Sequence, residues 1–78
     1  MNYLDYIETR SGVLGGKPVI KNTRIAVELI LQLLTAGWSI EDLLREYPRL
    51  TDDDIRAVFA LATELVMEER FIIESKVA

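Results

Sequence analysis

The sequence predicts a mainly α domain, a trihelical helix-turn-helix-like core preceded by a small β-hairpin. Three observations predict it. Residues Gly15 to Val27 crowd two glycines, a proline and β-forming side chains ahead of an apolar helix, a pattern of tight turn, short hairpin and helix entry. Three later segments carry apolar residues at helical spacing. The second and third of these each follow a Ser or Thr in capping position, so the connections are short.

The elements follow in order. Tyr3, Leu4, Tyr6 and Ile7 make residues 3–8 a candidate short strand that packs on the core or on a partner. Thr9 to Gly16 is a loop. The hairpin covers residues 17–26, with Val19-Ile20 and Thr23-Arg24-Ile25 as arms and Lys21-Asn22 as the turn, because asparagine tolerates the left-handed conformation. Pro18 has no N–H to give a ladder, so its strand is an edge or begins there.

The first helix spans about 26–36. Val27, Ile30, Leu31 and Leu34 form one stripe, and Leu29 and Leu33 lie off it, which predicts burial on more than one side. Gly37 is a suitable left-handed stop. Ser39 caps a helix over 40–47, with Asp42 placed as in a capping box, and Pro48 ends it. Thr51 caps the third helix, 51–69, whose first turn holds Asp52, Asp53 and Asp54, where the helix dipole favours acids. Residues 70–78 form a tail in which Phe71-Ile72-Ile73 reads equally as strand or as helical continuation.

Composition bounds the function. The 78 residues make one domain, 1–78, and half of them are hydrophobic. So short a chain buries only about 60% of its unfolded surface, which points to a homodimer or another protein covering the surplus. Tyr3, Tyr6, Leu29, Leu33 and Phe71 are the candidate interface residues. Histidine and cysteine are absent, which removes imidazole bases, thiol nucleophiles and the usual zinc sites. The serines and threonines lack a histidine partner, and consecutive aspartates on a helix point in different directions, so they do not converge on a metal. No catalytic residue, metal or cofactor is expected. The N-terminus has an early acid and no apolar run, no membrane span is expected, and the expected location is the cytoplasm.

Net charge is −4 but uneven. Between Thr9 and Val27 lie Arg10, Lys17, Lys21 and Arg24 and no acid, whereas the chain from Glu41 onward is acidic. The four cations read either as an ordinary solvated loop or as phosphate contacts to DNA. Arg24 has a third reading, an ion pair with Asp42 or Glu46. The acidic start of the third helix would meet phosphate repulsion if it were used as a recognition helix.

The run Gly15-Gly16-Lys17-Pro18-Val19-Ile20, then Thr23-Arg24-Ile25-x-Val27, then Ala36-Gly37-Trp38-Ser39, Glu41-Asp42-Leu43-Leu44 and Tyr47-Pro48-x-Leu50-Thr51 resembles the small prokaryotic domain-of-unknown-function family number 433 over about Val13 to Ala62. Asn22 departs from the glycine usual there, and the turn is expected to survive because asparagine holds positive φ. The resemblance implies a homeodomain-like or winged-helix-like fold and kinship to antitoxins of the VapB45-like type, which are encoded beside PIN-like ribonuclease toxins. The expected function is therefore antitoxin-like: binding a PIN-like toxin ribonuclease, with autoregulatory contact to operator DNA through Arg10, Lys17, Lys21 and Arg24. The alternative is a homodimeric structural or adaptor protein with neither ligand.

Overall fold

In the computed structural model, which describes residues 1–69, the element order is a 3₁₀ turn at Tyr3–Asp5, strand β1 (Ile7–Glu8), a 3₁₀ turn at Leu14–Gly16, strand β2 (Val19–Ile20), and helices α1 (Val27–Thr35), α2 (Ile40–Glu46) and α3 (Asp52–Glu69). The fold is the mainly helical one expected, three helices with a two-stranded antiparallel sheet at the N-terminus. The tail 70–78, with Phe71 and its neighbours, lies outside the described residues.

The hairpin is where pairing differs from the local reading. Val19–Ile20 is a strand, and the Lys21-Asn22 turn forms with Asn22 at φ 62°. The ladder partner of β2, however, is β1: Ile7 opposes Ile20 and Glu8 opposes Val19. Residues Thr23 to Ile25 contribute no strand. They return along β2 through a bridge between Val19 and Ala26 and through the Ile20 amide donating to the Ile25 carbonyl at 3.0 Å. Thr23 accounts for this path. Its buried hydroxyl donates to the Ile20 carbonyl at 2.8 Å and accepts from the Ile25 amide at 3.0 Å, so it closes the turn and competes with the ladder.

Helix boundaries follow local chemistry. The Gly37 amide donates to the Leu34 carbonyl at 3.1 Å and the Trp38 amide to the Leu33 carbonyl at 3.0 Å, a Schellman stop with Gly37 at φ 103°. The Ser39 hydroxyl accepts from the Asp42 amide at 3.0 Å, and the Asp42 carboxylate accepts from the Ser39 amide at 2.9 Å. Thr51 and Asp54 repeat the same reciprocal box at 3.1 and 2.9 Å. Each box satisfies two amides that have no partner inside the helix.

The core joins β1, β2 and the three helices. Ile30, Leu43, Ile55, Val19 and Val58 are its fully buried large side chains, each worth about 1.5–3 kcal/mol of burial. α3 is the central element and touches the N-terminal turn, β1, α1 and α2. Its first three turns supply Ile55, Ala57 and Val58 to the core, while Leu65, Val66 and Met67 in its second half are exposed. Trp38 is half-buried and packs against the core just after the Gly37 stop.

Candidate partner-binding site

The basic segment is split by its own contacts. Arg10 forms an ion pair with Glu8, and its second nitrogen donates to the Thr23 carbonyl at 2.5 Å. Its guanidinium thus ties β1 to the turn after β2. Lys17 pairs with Glu28 in the first turn of α1 at 2.6 Å, both side chains being exposed. Lys21 and Arg24 are exposed and form no ion pair among the described residues. Arg24 does not meet Asp42 or Glu46; Asp42 pairs instead with Arg45 one turn along α2 at 3.2 Å. Arg24 lines a shallow cleft with Lys17, Leu14, Leu29 and Gln32. The four cations therefore do not form one continuous patch: two are engaged in pairs, and two point to solvent.

Leu14 at the edge of that cleft has φ 49° and is exposed, and it is followed by Gly15 at 67° and Gly16 at 80°. The left-handed run is closed by the Gly16 amide donating to the Val13 carbonyl at 2.9 Å and the Lys17 amide donating to the Leu14 carbonyl. Glycine holds the second and third of these positions without the steric cost that a side chain would add.

The expected interface residues scatter. Tyr3 and Tyr6 are half-buried against the core, and Leu33 packs there too. Leu29 lines the Arg24 cleft. Glu64 beside the Tyr3 hydroxyl, with burial and the charge of Glu68, pushes the phenol above its usual range. The backbone amide of Ser39, then its hydroxyl and Arg45, hold the Asp42 carboxyl below the usual carboxylate range.

A surface feature unmarked in the residue-by-residue reading is an apolar groove of about 420 Å³ between α1 and α3. Val27 and Leu31 line it from α1 and Leu61 and Leu65 from α3, and the Lys17–Glu28 pair stands at its rim. Leu65 and Val66 continue the helical spacing of α3, so sequence pattern alone places them with the core. The signal that separates them is length: α1 has 9 residues and α3 has 18, about 13 Å against about 27 Å.

The outer surface of α3 is acidic. Asp52 and Asp53 are exposed at its start and Glu64 and Glu68 are exposed farther along, whereas Asp54 is buried in the Thr51 cap. Among the described residues no group of three or more His, Cys, Asp and Glu could hold a metal ion, and no helix is long and apolar enough to cross a membrane.

A two-stranded antiparallel sheet and three helices, with α3 at the centre, define a small, mainly helical domain. Residues 7–62 match the family described as Protein of unknown function (DUF433), and the chain belongs to that family. It is similar to an uncharacterized protein, y4eO, of Sinorhizobium fredii, with 32% identity over 63 residues. The similarity covers 78% of this chain but only 28% of that relative's length. Among solved structures it is similar to a DUF433 member protein from Anabaena variabilis. There the identity is 34%, the TM-score is 0.72, and 74% of this chain and 57% of the other are covered.

Proposed function

We propose that the chain is an antitoxin-like binding protein that, as a homodimer, covers a PIN-like ribonuclease, with operator contact as a second role. The observation that carries this reading is the outer surface of α3. Asp52 and Asp53 stand at the end that a helix-turn-helix protein would turn toward base edges, and Glu64 and Glu68 extend the acidic surface. Carboxylates there repel phosphate and suit a cationic protein groove built to hold RNA. The toxin class comes from the resemblance of the Gly15–Thr51 pattern to antitoxin-related proteins.

Operator contact falls to Lys21 and Arg24, since Arg10 and Lys17 already have acidic partners. On a two-fold dimer these cations are presented twice, as a two-fold operator requires.

The test uses the tagged full chain as bait in its native host. The expected result is stoichiometric recovery of a small ribonuclease whose RNA cleavage stops when the chain is added back, and loss of that recovery for the Asp52→Lys/Asp53→Lys variant. Recovery of the bait alone at native expression would overturn the toxin reading in favour of an adaptor dimer. A gel shift unaffected by Lys21→Ala/Arg24→Ala would remove the operator role.

A further inference from the structure

Leu14 and Leu29 lie far apart in the chain, and neither belongs to the core cluster. The fold brings both to the cleft beside Arg24, about 360 Å³ in volume. Two contacts fix its walls. Lys17 pairs with Glu28 at 2.6 Å, and the Val27 amide donates to the Pro18 carbonyl at 3.0 Å. Together they hold the Leu14–Lys17 turn against the start of α1, so the cleft is formed before anything enters it.

Leu14 is held there at a cost. Its φ of 49° puts a branched side chain in the left-handed region, which the neighbouring glycines occupy freely. The side chain is nevertheless 42% exposed, so burial returns little of that cost. A strained residue that the fold does not repay points to a use outside the fold.

Charge selects the occupant. Lys17 and Glu28 neutralise each other, which leaves Arg24 as the uncompensated charge of the cleft. Arg24 is exposed and forms no ion pair among the described residues. We infer that this cleft binds a protein segment in which an apolar side chain stands beside a carboxylate. The apolar side chain packs between Leu14 and Leu29. The carboxylate meets the Arg24 guanidinium, whose planar fork can engage both of its oxygens. A phosphodiester would engage Arg24 and leave both leucines in water. A small molecule would be poorly covered by so shallow a cleft, whereas a peptide also brings backbone groups for the Gln32 amide at its edge. The inference goes beyond the ribonuclease and operator readings and rests on neither. A filled cleft withholds Arg24 from phosphate and leaves Lys21.

Selection of short randomised peptides, displayed on phage, against the full chain tests this. The expected binders carry an aspartate or glutamate beside a leucine, isoleucine or phenylalanine. A fluorescein-labelled synthetic copy of one binder is then titrated by anisotropy. Arg24→Glu is expected to raise its Kd at least about tenfold. Arg49→Glu makes the same charge change on an exposed side chain outside the cleft, and is expected to change Kd by less than about twofold. Leu14→Asn is expected to raise Kd at least about fivefold, while the Tm stays level or rises because asparagine holds positive φ more cheaply. A leucine with only a structural role would lower the Tm instead. No binder, or binders without an acid, overturns the proposal. So does an Arg49→Glu loss equal to that of Arg24→Glu, or a Leu14→Asn variant that binds like the wild type. None of these results touches the ribonuclease or operator readings, which are decided by toxin capture and by the gel shift.

Discussion

Of the three aspartates that open α3, Asp54 alone is structural, and replacing it separates architecture from surface. Asp54 is 8% exposed, and its carboxylate accepts from the Thr51 amide at 2.9 Å. Asp54→Ala removes a charge-assisted hydrogen bond at a partly buried helix start, together with a favourable dipole contact. The combined loss is about 2 kcal/mol. Asp53 is exposed, with no side-chain hydrogen bond among the described residues, so Asp53→Ala forfeits only the dipole contribution, about 0.3–0.5 kcal/mol. A chain this short holds about 4–12 kcal/mol in all, so the first change is a large fraction and the second a small one. Calorimetry should read a fall in Tm of about 8 °C or more for Asp54→Ala and about 4 °C or less for Asp53→Ala. A urea titration should give unchanged slopes, showing that both variants unfold from the same native state. Equal shifts for the two variants would refute the assignment of Asp54 to the cap. They would return all three carboxylates to the partner-facing surface.

Two further outcomes follow from the same geometry. Gly37→Ala meets no atom within 4 Å of the added carbon, so its cost is that of holding φ 103° with a side chain, about 1–2 kcal/mol, visible as a lower urea midpoint with α1 otherwise intact. Asp42 titrates below its ordinary value because the Ser39 amide and hydroxyl and Arg45 favour its charged form. Its contribution is therefore full above the unfolded pKa of 3.8 and is lost as pH falls through the lower folded value. The stability gap between wild type and Asp42→Asn should be constant near neutrality, begin to close below about pH 5 and go on closing as the pH falls through 3.8 toward the lower folded value. A gap that stays level through that range would show that Asp42 is not linked to folding.

The candidate site was less legible than the fold. The four cations between Thr9 and Val27 form one block in the chain, but whether a cation is available depends on which acid the fold brings beside it. Arg10 meets Glu8 and the carbonyl of Thr23, and Lys17 meets Glu28 across the hairpin-to-helix junction. The separation between Lys17 and Glu28 in the chain gives no periodic signal, so no pattern search would pair them. The apolar groove was hidden for a related reason. Helical spacing assigns Leu65 and Val66 to a face, but whether that face is covered depends on how far α1 extends alongside α3.

What this sequence determined by itself is the set of features whose partners lie within a few residues. The stop at Gly37, the capping box at Ser39, the N-cap at Thr51, the left-handed turn at Asn22 and the helix extents between them are settled by backbone sterics and by amides that must find acceptors nearby. The tertiary structure alone decided that β2 pairs with β1 rather than with Thr23–Ile25. It also decided that Arg10 braces the turn, and that α3 outruns its cover to leave an apolar groove. Those outcomes depend on contacts between residues distant in the chain, where competing pairings have similar local cost and the choice is made by burial of Ile7, Val19 and Ile20 in one shared core.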